Sequence, residues 1–337
     1  LDKIDLKHRP AILIGTPGRV ADRIRRDNFS LNEIHTLVLD EFDKSLEVGF
    51  EAEMTEIVEA MPRVKQRILT SATSDVGIPK FVGLQRPVFI NYLREGTSQL
   101  TIKTILTSEK DKLQSLKKAL AFIGHQPGIV FCNFKEALER VSVFLTENII
   151  HHERFHGGME QVDRERALVK FRNGTCQLLL ATDLASRGLD IPEIRFILHY
   201  HLPPSEKEFT HRNGRTARMN RDGVAYILHY KDEKLPEYIQ EIVSESLQIE
   251  ELQEATISPP IKWKTLYITG GRRDKISKGD IAGLFLKQGQ INKDQLGIIE
   301  VKQDSTYVAV HEEIADLVIE RTNNNKLKTK KVRVSGI

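Results

Sequence analysis

Short apolar runs alternate with amphipathic stretches along most of the chain, and Gly, Pro, Asn or Asp bounds most of the runs. Such runs between turn signals are typical of buried strands, and amphipathic stretches of about 10 to 15 residues are typical of helices. The alternation predicts a parallel sheet covered by helices. The predicted strands are residues 11–14, 36–39, 67–69, 128–131, 177–181, 196–198 and 224–228.

The pattern divides the chain into three parts. We predict α/β units at residues 1–95 and 96–250, a linker at 251–262 that contains consecutive prolines, and a third domain at 263–337. The first unit offers fewer strands than a complete doubly wound domain, whereas the second supplies a full set. The third domain has the predicted order βαββαβ, with its last strand at residues 331–334.

Composition narrows the class of protein. The chain has 50 Lys and Arg against 47 Asp and Glu, and the excess of basic residues lies in residues 263–337. Since no stretch approaches the roughly 20 apolar residues of a spanning helix, we expect a cytoplasmic protein without a membrane partner. Cys132 and Cys176 lie in apolar runs and form no CxxC pair, which predicts buried, reduced thiols. The absence of a heptad seam predicts a monomer.

Two carboxylates, Asp40 and Glu41, follow the predicted strand 36–39. Open α/β sheets bind ligands at the carboxyl ends of their strands. Asp40 there could hold Mg²⁺ through water, and Glu41 could orient the water that attacks a γ-phosphate. An ordinary helix N-cap is the alternative interpretation of the same residues.

Arginines recur every three residues in HRNGRTAR at 211–218, at Arg212, Arg215 and Arg218. This spacing predicts one basic face of a helix. Guanidinium groups donate paired hydrogen bonds to phosphate oxygens and stay charged, so the face suits a γ-phosphate. The alternative is a solvated basic helix.

These segments together resemble the DEAD-box RNA helicases. DEFD at 40–43, SAT at 71–73, ATDLASRGLD at 181–190 and HRNGRTAR occur in the order and approximate spacing of that family's motifs II, III, V and VI. TPGR at 16–19 is similar to motif Ib, FCN at 131–133 to motif IV, and Gln161 with Arg164 to the Q-x-x-R element. The resemblance implies an α/β fold of two RecA-like parallel-sheet domains, the first incomplete, that close around ATP and single-stranded RNA.

The resemblance also implies roles for single residues. Asp40, Glu41, Asp43, Arg215 and Arg218 would be catalytic, with Mg²⁺ held by Asp40 through water. Asp190, Arg212 and Gly188 would bind the nucleotide, while Ser71, Thr73 and His211 would couple hydrolysis to RNA binding. Thr16, Gly18, Arg19, Gln161, Arg164 and Thr182 would contact the RNA backbone.

Three features of the sequence depart from the family pattern. The box is DEFD instead of DEAD, and Ala217 replaces the more usual Gly, and we expect both changes to be tolerated. More seriously, the chain contains no G-x-x-x-x-G-K-[ST], the loop whose amides and lysine cradle phosphates. We therefore expect an N-terminally truncated helicase that binds ATP weakly and hydrolyses it poorly or not at all.

The third domain has the element order of an RRM, an RNA-binding α+β fold. Its predicted strands carry only Tyr267 and Tyr307, which weakens the usual stacking of bases on the sheet. Its basic residues instead suggest RNA binding by Arg272, Arg273, Lys275, Lys330 and Lys331. A solubilising tail is the alternative.

GGRRDKI at 270–276, KGD at 278–280 and YVAV at 307–310 resemble the C-terminal RNA-binding domain of DbpA-type DEAD-box helicases. The resemblance implies an anchor on a hairpin of large-subunit ribosomal RNA, with a pre-ribosomal particle as partner during ribosome assembly. A general RNA-remodelling role stays open.

Two other functions compete with an ATP-dependent helicase. One is an ATP-independent RNA-binding or annealing protein with a non-catalytic core, and the other is a DNA helicase or translocase. Intact acidic and arginine motifs favour the enzyme, and the RRM-like domain favours RNA. The histidines do not show the converging spacing of a metal site, so we expect none.

Overall fold

Two units make up the chain in the computed structural model, Leu1–Arg94 and Glu95–Ile337. The structure describes residues 10–26, 30–47, 49–71, 77–91, 100–183, 194–216, 222–253 and 263–337. Within those ranges, no helix is both long and apolar enough to cross a membrane.

Among its described residues, the first unit contains two paired strands and three helices. In chain order its elements are α1 (Pro17–Arg25), β1 (Thr36–Leu39), α2 (Phe42–Glu47), α3 (Glu51–Glu59), β2 (Gln66–Leu69) and a 3₁₀ turn (Lys80–Val82). β1 and β2 are parallel, with Leu39 opposite Leu69. Buried Phe42, Met54 and Val82 form the centre of a small core between α2, α3 and the 3₁₀ turn.

The strand predicted at residues 11–14 is absent from the structure. Ile12 and Ile14 are 77% and 91% exposed. A strand needs neighbours that accept its hydrogen bonds and cover its side chains, and among the described residues of this unit only β1 and β2 pair. Apolar composition predicted a strand here, but the pairing that would form it is missing.

The second unit begins with a seven-stranded sheet in which every neighbouring pair is parallel. Its elements are β3 (Leu100–Thr107), α4 (Leu113–Ile123), β4 (Gly128–Phe131), α5 (Lys135–Glu147), β5 (Glu153–Phe155), α6 (Gln161–Arg172), β6 (Leu178–Ala181), β7 (Phe196–His199), α7 (Glu206–Asn213), β8 (Gly223–Tyr230), α8 (Glu237–Gln240) and β9 (Glu245–Gln248). The strand order is β5-β6-β4-β7-β8-β3-β9. Every residue of β4, β6 and β7 is buried, because helices cover both faces of the sheet.

The C-terminal part of the second unit is an antiparallel sheet packed on two helices. Its elements are β10 (Trp263–Ile268), a 3₁₀ turn (Arg272–Asp274), α9 (Lys278–Gly283), β11 (Leu296–Val301), β12 (Thr306–His311), α10 (Ala315–Thr322), β13 (Lys326–Leu327), β14 (Lys330–Lys331) and β15 (Val334–Gly336). The sheet has the order β11-β12-β10-β15. Leu266, Phe285 and Val308 lie in the core between one sheet face and the helices. The four strands of this sheet and the two helices follow the predicted βαββαβ order, and β13 and β14 add a separate small hairpin.

The strand predicted at residues 331–334 divides into two elements. β14 pairs with β13 in a small hairpin, and Lys328 takes a positive φ of 56° between them. β15 then joins the sheet beside β10, with Val334 opposite Ile268. The chain changes partner between these strands, which the run of apolar and basic residues does not reveal.

Candidate nucleotide and RNA sites

Two carboxylates stand at the carboxyl end of β1. Because β1 and β2 are parallel, Thr70 after β2 lies beside Asp40 and Glu41. The Thr70 hydroxyl donates to Asp40 Oδ1 at 2.5 Å and accepts the Glu41 backbone N–H at 3.1 Å. Both acidic residues are exposed. The turn is held by Thr70 while carboxylate oxygens reach solvent, an arrangement that fits a hydrated Mg²⁺ ion.

The other predicted catalytic and coupling residues of this unit lie next to that turn. Asp43 is buried in the first turn of α2, and Ser71 directly follows Thr70. Phe42 donates its backbone N–H to the Thr70 carbonyl at 3.0 Å, so the end of β2 is bonded to the start of α2. Thr73 lies outside the described residues.

The RNA-contact residues predicted for the first unit begin α1. Thr16 precedes the helix, and Gly18 and Arg19 lie in its first turn. The Thr16 carbonyl accepts the Val20 N–H at 3.0 Å, and Arg19 is exposed. Amides at a helix N-terminus and a guanidinium group both suit phosphate oxygens.

In the second unit, Arg212 forms the centre of a buried polar network. Its side chain is 1% exposed, and its Nε and Nη2 donate to the two carboxylate oxygens of Asp183, each at 2.6 Å. Nη2 also donates to Asn133 Oδ1 at 2.7 Å, and Nη1 donates to the His201 carbonyl at 3.1 Å. The guanidinium carbon lies 5.1 Å from the centre of the Phe131 ring. One side chain thus joins the segments that follow β4, β6 and β7.

This geometry corrects the predicted arginine face. α7 ends at Asn213 with Gly214 as its C-cap, and Arg215 is half-buried in the turn that follows. Arg218 lies outside the described residues. Arg212 is bonded within its own domain, where its side chain joins the segments of motifs IV, V and VI.

Of the remaining nucleotide-binding and coupling residues predicted for the second unit, only His211 lies among the described residues. His211 is half-buried in the last turn of α7. Gly188 and Asp190 lie outside the described part of the chain.

Burial determines the protonation of groups around this network. His199 Nε2 lies 3.0 Å from Asn213 Oδ1, and burial together with the charge of Arg212 lowers the pKa of His199 to about 3. Burial raises the pKa of the Cys132 thiol to about 12, and that of Cys176 to about 12 as well. His199 is therefore neutral near pH 7, as are the two thiols, which are buried and unpaired as predicted.

The Q-x-x-R element begins α6. Arg164 Nη2 donates to Gln161 Oε1 at 2.7 Å on this first turn. The preceding turn is held by buried His156, whose Nε2 lies 2.9 Å from Glu139 Oε1. Thr182, also buried, donates its backbone N–H to the carbonyl of residue 155 in the neighbouring strand at 3.3 Å. In the ranges that the structure describes, no three or more His, Cys, Asp or Glu side chains come together as direct ligands of a metal ion.

The cations predicted to bind RNA in the C-terminal domain are Arg272, Arg273, Lys275, Lys330 and Lys331. Lys330 Nζ donates to Asp274 Oδ2 at 2.9 Å, which ties β14 to the 3₁₀ turn that contains Arg272 and Arg273. Arg272, Arg273, Lys275 and Lys331 are exposed. The structure brings these cations to one edge of the domain, which we call the loop edge.

The loop edge rests on the end of β11. Arg272 donates its backbone N–H to the Lys302 carbonyl at 2.9 Å. A Cβ at Gly271 would lie 2.4 Å from the same carbonyl oxygen, so only glycine fits there without a backbone shift. A cleft of about 460 Å³ opens beside the loop, lined in part by Ser277 and Lys278.

The sequence reasoning missed a group of charged residues between α6 and the C-terminal sheet. Arg172 on α6 donates to both carboxylate oxygens of Glu300 on β11. Lys302 Nζ lies 2.8 Å from Glu165 Oε1. Each residue resembles any surface charge in the sequence, because its partner lies in a different domain.

Three domain families match this chain. A DEAD/DEAH box helicase domain matches residues 1–79, a helicase conserved C-terminal domain matches 111–220, and a DbpA RNA binding domain matches 265–335. The chain is 32% identical to ATP-dependent RNA helicase DbpA of Escherichia coli strain K12, over 99% of the chain and 74% of that protein. It is 28% identical to ATP-dependent RNA helicase DbpA of Bacillus subtilis strain 168, over 99% of the chain and 76% of that protein.

Solved structures show the same fold. S. cerevisiae Dbp5 bound to RNA and ADP BeF3 has a TM-score of 0.59 at 21% identity, over 71% of this chain and 66% of that one. Mss116p bound to ssRNA and AMP-PNP has a TM-score of 0.59 at 22% identity, over 76% and 55%. The predicted RecA-like architecture is confirmed.

Two helicase domains followed by an RNA-binding domain define an RNA helicase that uses ATP. The similarity to DbpA over nearly the whole chain extends through that last domain. The chain therefore belongs to the DEAD-box RNA helicases, in the DbpA type, as its motifs predicted.

Proposed function

We propose that this chain carries the catalytic carboxylates and the RNA anchor of an ATP-dependent helicase that separates short RNA duplexes. The observation that carries the proposal is that one chain holds two different sites. Asp40 and Glu41 are held by Thr70 at a strand end in the first unit, and cations around Arg272 and Lys330 form the loop edge of the C-terminal domain. The first arrangement suits a nucleotide and the second suits RNA.

Hydrolysis is assigned to carboxylates of the first unit and arginines of the second. Mg²⁺–ATP supplies the γ-phosphate and the neutralisation of its charge. Asp40 would hold the ion through water, and Glu41 would orient and deprotonate the attacking water. Arg215 and Arg218 would donate hydrogen bonds to γ-phosphate oxygens, and Asp190 and Gly188 would complete the nucleotide site.

Coupling between nucleotide and RNA is assigned to Ser71, Thr73 and His211, and the catalytic residue Asp43 would link the nucleotide site to motifs III and VI. Support comes from the bonded turn in the first unit. A shift of Ser71 moves Thr70, and Thr70 is hydrogen-bonded to Asp40 and Glu41. A displacement at the end of β2 would therefore reach the Asp40 carboxylate and the Glu41 backbone through one residue.

RNA would be held by its backbone. Thr16, Gly18, Arg19, Gln161, Arg164 and Thr182 supply hydroxyl, amide and guanidinium groups, which bind phosphates without selecting a sequence. Arg212 would position the segments that carry Thr182 and Arg215 rather than bind the nucleotide itself, because its guanidinium is buried against Asp183.

Hydrolysis by these 337 residues alone should be slow, because their sequence has no phosphate-binding G-x-x-x-x-G-K-[ST] loop. Steady-state hydrolysis with Mg²⁺, with and without a fragment of large-subunit ribosomal RNA, tests this. We expect background rates in both cases and RNA binding that weakens steeply with salt. RNA-stimulated hydrolysis that Glu41→Gln abolishes would overturn the expectation of inactivity.

A chimera tests the helicase itself. Fusing the phosphate-loop segment of E. coli DbpA to the N-terminus of this chain should restore RNA-stimulated hydrolysis and duplex separation. In that chimera, Glu41→Gln should reduce hydrolysis by on the order of a hundredfold or more. Strand annealing that proceeds equally with and without ATP, and no unwinding by the chimera, would favour the alternative of an ATP-independent annealing protein.

We propose that the RNA target is a hairpin of large-subunit ribosomal RNA. The protein would bind this hairpin as a monomer, in a pre-ribosomal particle, during ribosome assembly in the cytoplasm. Support comes from the match to the DbpA RNA binding domain at residues 265–335.

Arg272→Ala with Arg273→Ala should weaken hairpin binding about tenfold or more. The slope of log affinity against log salt concentration should become shallower by about two. Lys287→Ala with Lys293→Ala removes two exposed cations of the same domain as a control. Equal losses in both pairs would contradict a target bound at the loop edge.

A further inference from the structure

The helicase part of the second unit exposes an aromatic ring at the start of α5. Phe134 is 66% exposed, and it is the N-cap residue of that helix, with an extended backbone at φ −126° and ψ 149°. N-cap positions favour Ser, Thr, Asp or Asn, whose side-chain oxygen accepts an amide hydrogen bond from the first turn. Phenylalanine has no such acceptor. The ring therefore gives the fold neither a helix cap nor much buried apolar surface.

The backbone on both sides of this ring is fixed by hydrogen bonds. Asn133 Nδ2 donates to the Leu202 carbonyl at 2.9 Å, and Asn133 Oδ1 accepts from Arg212 at 2.7 Å. The Phe134 carbonyl accepts the Leu138 N–H at 3.0 Å. A residue that departs from local preference within a well-determined backbone is expected at functional positions. The exposed ring is therefore a candidate for binding a ligand.

The residue after the ring connects it to the turn before the Q-x-x-R element. Lys135 is exposed, and a Cβ at Gly158 would lie 3.0 Å from Lys135 Nζ. Gly158 donates its backbone N–H to Nδ1 of buried His156 at 3.2 Å, which holds this turn. Lys135, Met159 and Asp163 line part of a cleft of about 560 Å³. Since Asp163 lies in the first turn of α6, the start of α5 and the Q-x-x-R element border one cleft.

Lys135 gives this cleft an excess of positive charge. Three acid–base pairs among the lining residues balance one another: Arg154 with Glu139 at 2.6 Å, Lys170 with Glu153 at 2.9 Å, and Arg166 with Asp163 at 3.7 Å. Lys135 forms no such pair within the described ranges of the chain. An exposed ring that directly precedes an exposed, unpaired cation combines the two groups that single-stranded nucleic acids bind, a stacking surface and a positive charge.

We propose that Phe134 is a stacking platform for one nucleobase of single-stranded RNA. The inference rests on the proposed RNA function and deepens it, because the other contacts predicted for the helicase domain hold only the RNA backbone. Stacking accepts every base, since each base has a π-face, and it adds affinity without reading sequence through hydrogen bonds. Lys135 would neutralise the phosphate next to the stacked base.

Fluorescence anisotropy with single-stranded oligomers tests the stack. The probes are oligoadenylate and an oligomer of equal length whose ribose units carry no base. Both are measured with the full chain carrying Arg272→Ala and Arg273→Ala, so that the loop edge does not mask the contact. Phe134→Ser should weaken binding of oligoadenylate about fivefold or more, as expected for the loss of one stacked base. Binding of the abasic oligomer should stay within about twofold.

Two further substitutions separate stacking from apolar contact. Phe134→Leu keeps an apolar side chain without a π-face, and it should lose nearly as much affinity for oligoadenylate as Phe134→Ser. Phe134→Trp keeps an aromatic face and should retain affinity within about twofold. Its added fluorescence, beyond that of Trp263, should be quenched by oligoadenylate and not by the abasic oligomer. Val143→Ser removes a 57% exposed apolar side chain from the same helix and is the control that should change nothing.

Thermal unfolding distinguishes a binding role from a structural one. Because serine caps a helix and phenylalanine does not, Phe134→Ser should raise the Tm of the helicase part by about 2 °C or more, even as it weakens RNA binding. A ring required for packing would lower the Tm when it is removed. Far-UV circular dichroism verifies that each variant is folded.

Three results would overturn the proposal. They are full affinity for oligoadenylate in Phe134→Leu, equal losses for the two oligomers in Phe134→Ser, and a lower Tm in Phe134→Ser. If the chain with Phe134 intact binds neither oligomer, the proposed RNA contacts of the helicase domain fail and the stack fails with them. If that chain binds both oligomers equally and with steep salt dependence, the backbone contacts stand and only the stack fails.

Discussion

Replacing Arg212 by methionine should destabilise the helicase part of the second unit strongly. The change removes the two 2.6 Å bonds to Asp183 and the 2.7 Å bond to Asn133 from a site where Arg212 is 1% exposed. Breaking a buried pair by removing one partner costs about 3–5 kcal/mol. Asp183 retains 19% exposure and can regain some hydration, so we expect the lower part of that range, about 3 kcal/mol.

The size of the interaction follows from a double-mutant cycle. Denaturant unfolding of the full chain should be measured for Arg212→Met, Asp183→Leu and the double variant by far-UV circular dichroism. Trp263 fluorescence separates the C-terminal transition, because the chain holds more than one cooperative unit. The double variant should lose less stability than the sum of the single variants by about 1.5 kcal/mol or more, since it leaves no uncompensated charge.

A second readout comes from His199. Burial first, and the charge of Arg212 second, lower the pKa of His199 to about 3. Arg212→Met should therefore raise the pKa of His199, which a histidine NMR titration follows. A stability loss under about 1 kcal/mol, an additive cycle or an unchanged His199 titration would refute the account of Arg212 as the centre of the network.

Three further predictions concern single positions. The pKa of His199 is about 3 in the folded chain and about 6.5 in the unfolded chain. The contribution of His199 to stability is therefore complete above pH 6.5 and is lost as the pH falls toward 3. Calorimetry should show a lower Tm at pH 4.5 than at pH 7, and an equal Tm at the two pH values would contradict this prediction. Cys132 and Cys176 should resist thiol reagents in the folded chain and react after denaturation, because burial raises both pKa values to about 12; rapid labelling of the native chain would show that they are accessible. Gly271→Ala should cost about 1–3 kcal/mol in the C-terminal domain by forcing the loop away from the Lys302 carbonyl, and a Trp263 transition unchanged in denaturant would rule that out.

Local patterns predicted the fully buried strands of the large sheet, but they missed its two edge strands and also β3, where Thr and Lys interrupt the apolar residues. β4, β6 and β7 are runs of buried residues, so composition alone identified them. β5 and β9 lie at the two edges of the sheet, and charged residues such as Glu153 and Glu245 weaken their apolar signal. The error at residues 11–14 has the opposite cause, because an apolar run becomes a strand only when a neighbour pairs with it.

For the candidate site too, local sequence signals were predicted correctly, while contacts between distant residues were missed. Asp40 and Glu41 were found because a strand followed by two acids is a local signal. The two hydrogen bonds of the Thr70 hydroxyl join it to Asp40 and Glu41, about 30 positions away in the chain, and only the pairing of β1 with β2 brings these residues together. The spacing of the arginines predicted a shared helical face, yet α7 ends before Arg215 and the guanidinium of Arg212 is buried. The spacing of residues in the sequence does not show where a helix ends or which of its charged side chains is buried.

The order of strands in the large sheet has a consequence for biosynthesis. β3 lies between β8 and β9, and the hydroxyls of Thr104 and Ser246 that meet across the last pair are 142 residues apart in the chain. At about 5–20 residues per second, translation leaves β3 without these partners for about 7 to 30 s. During that interval, Ile102 and Ile105 lack the neighbouring strands beside which they are buried in the folded sheet. Synonymous codons that slow translation between β3 and β8 would lengthen that interval and lower the yield of folded protein.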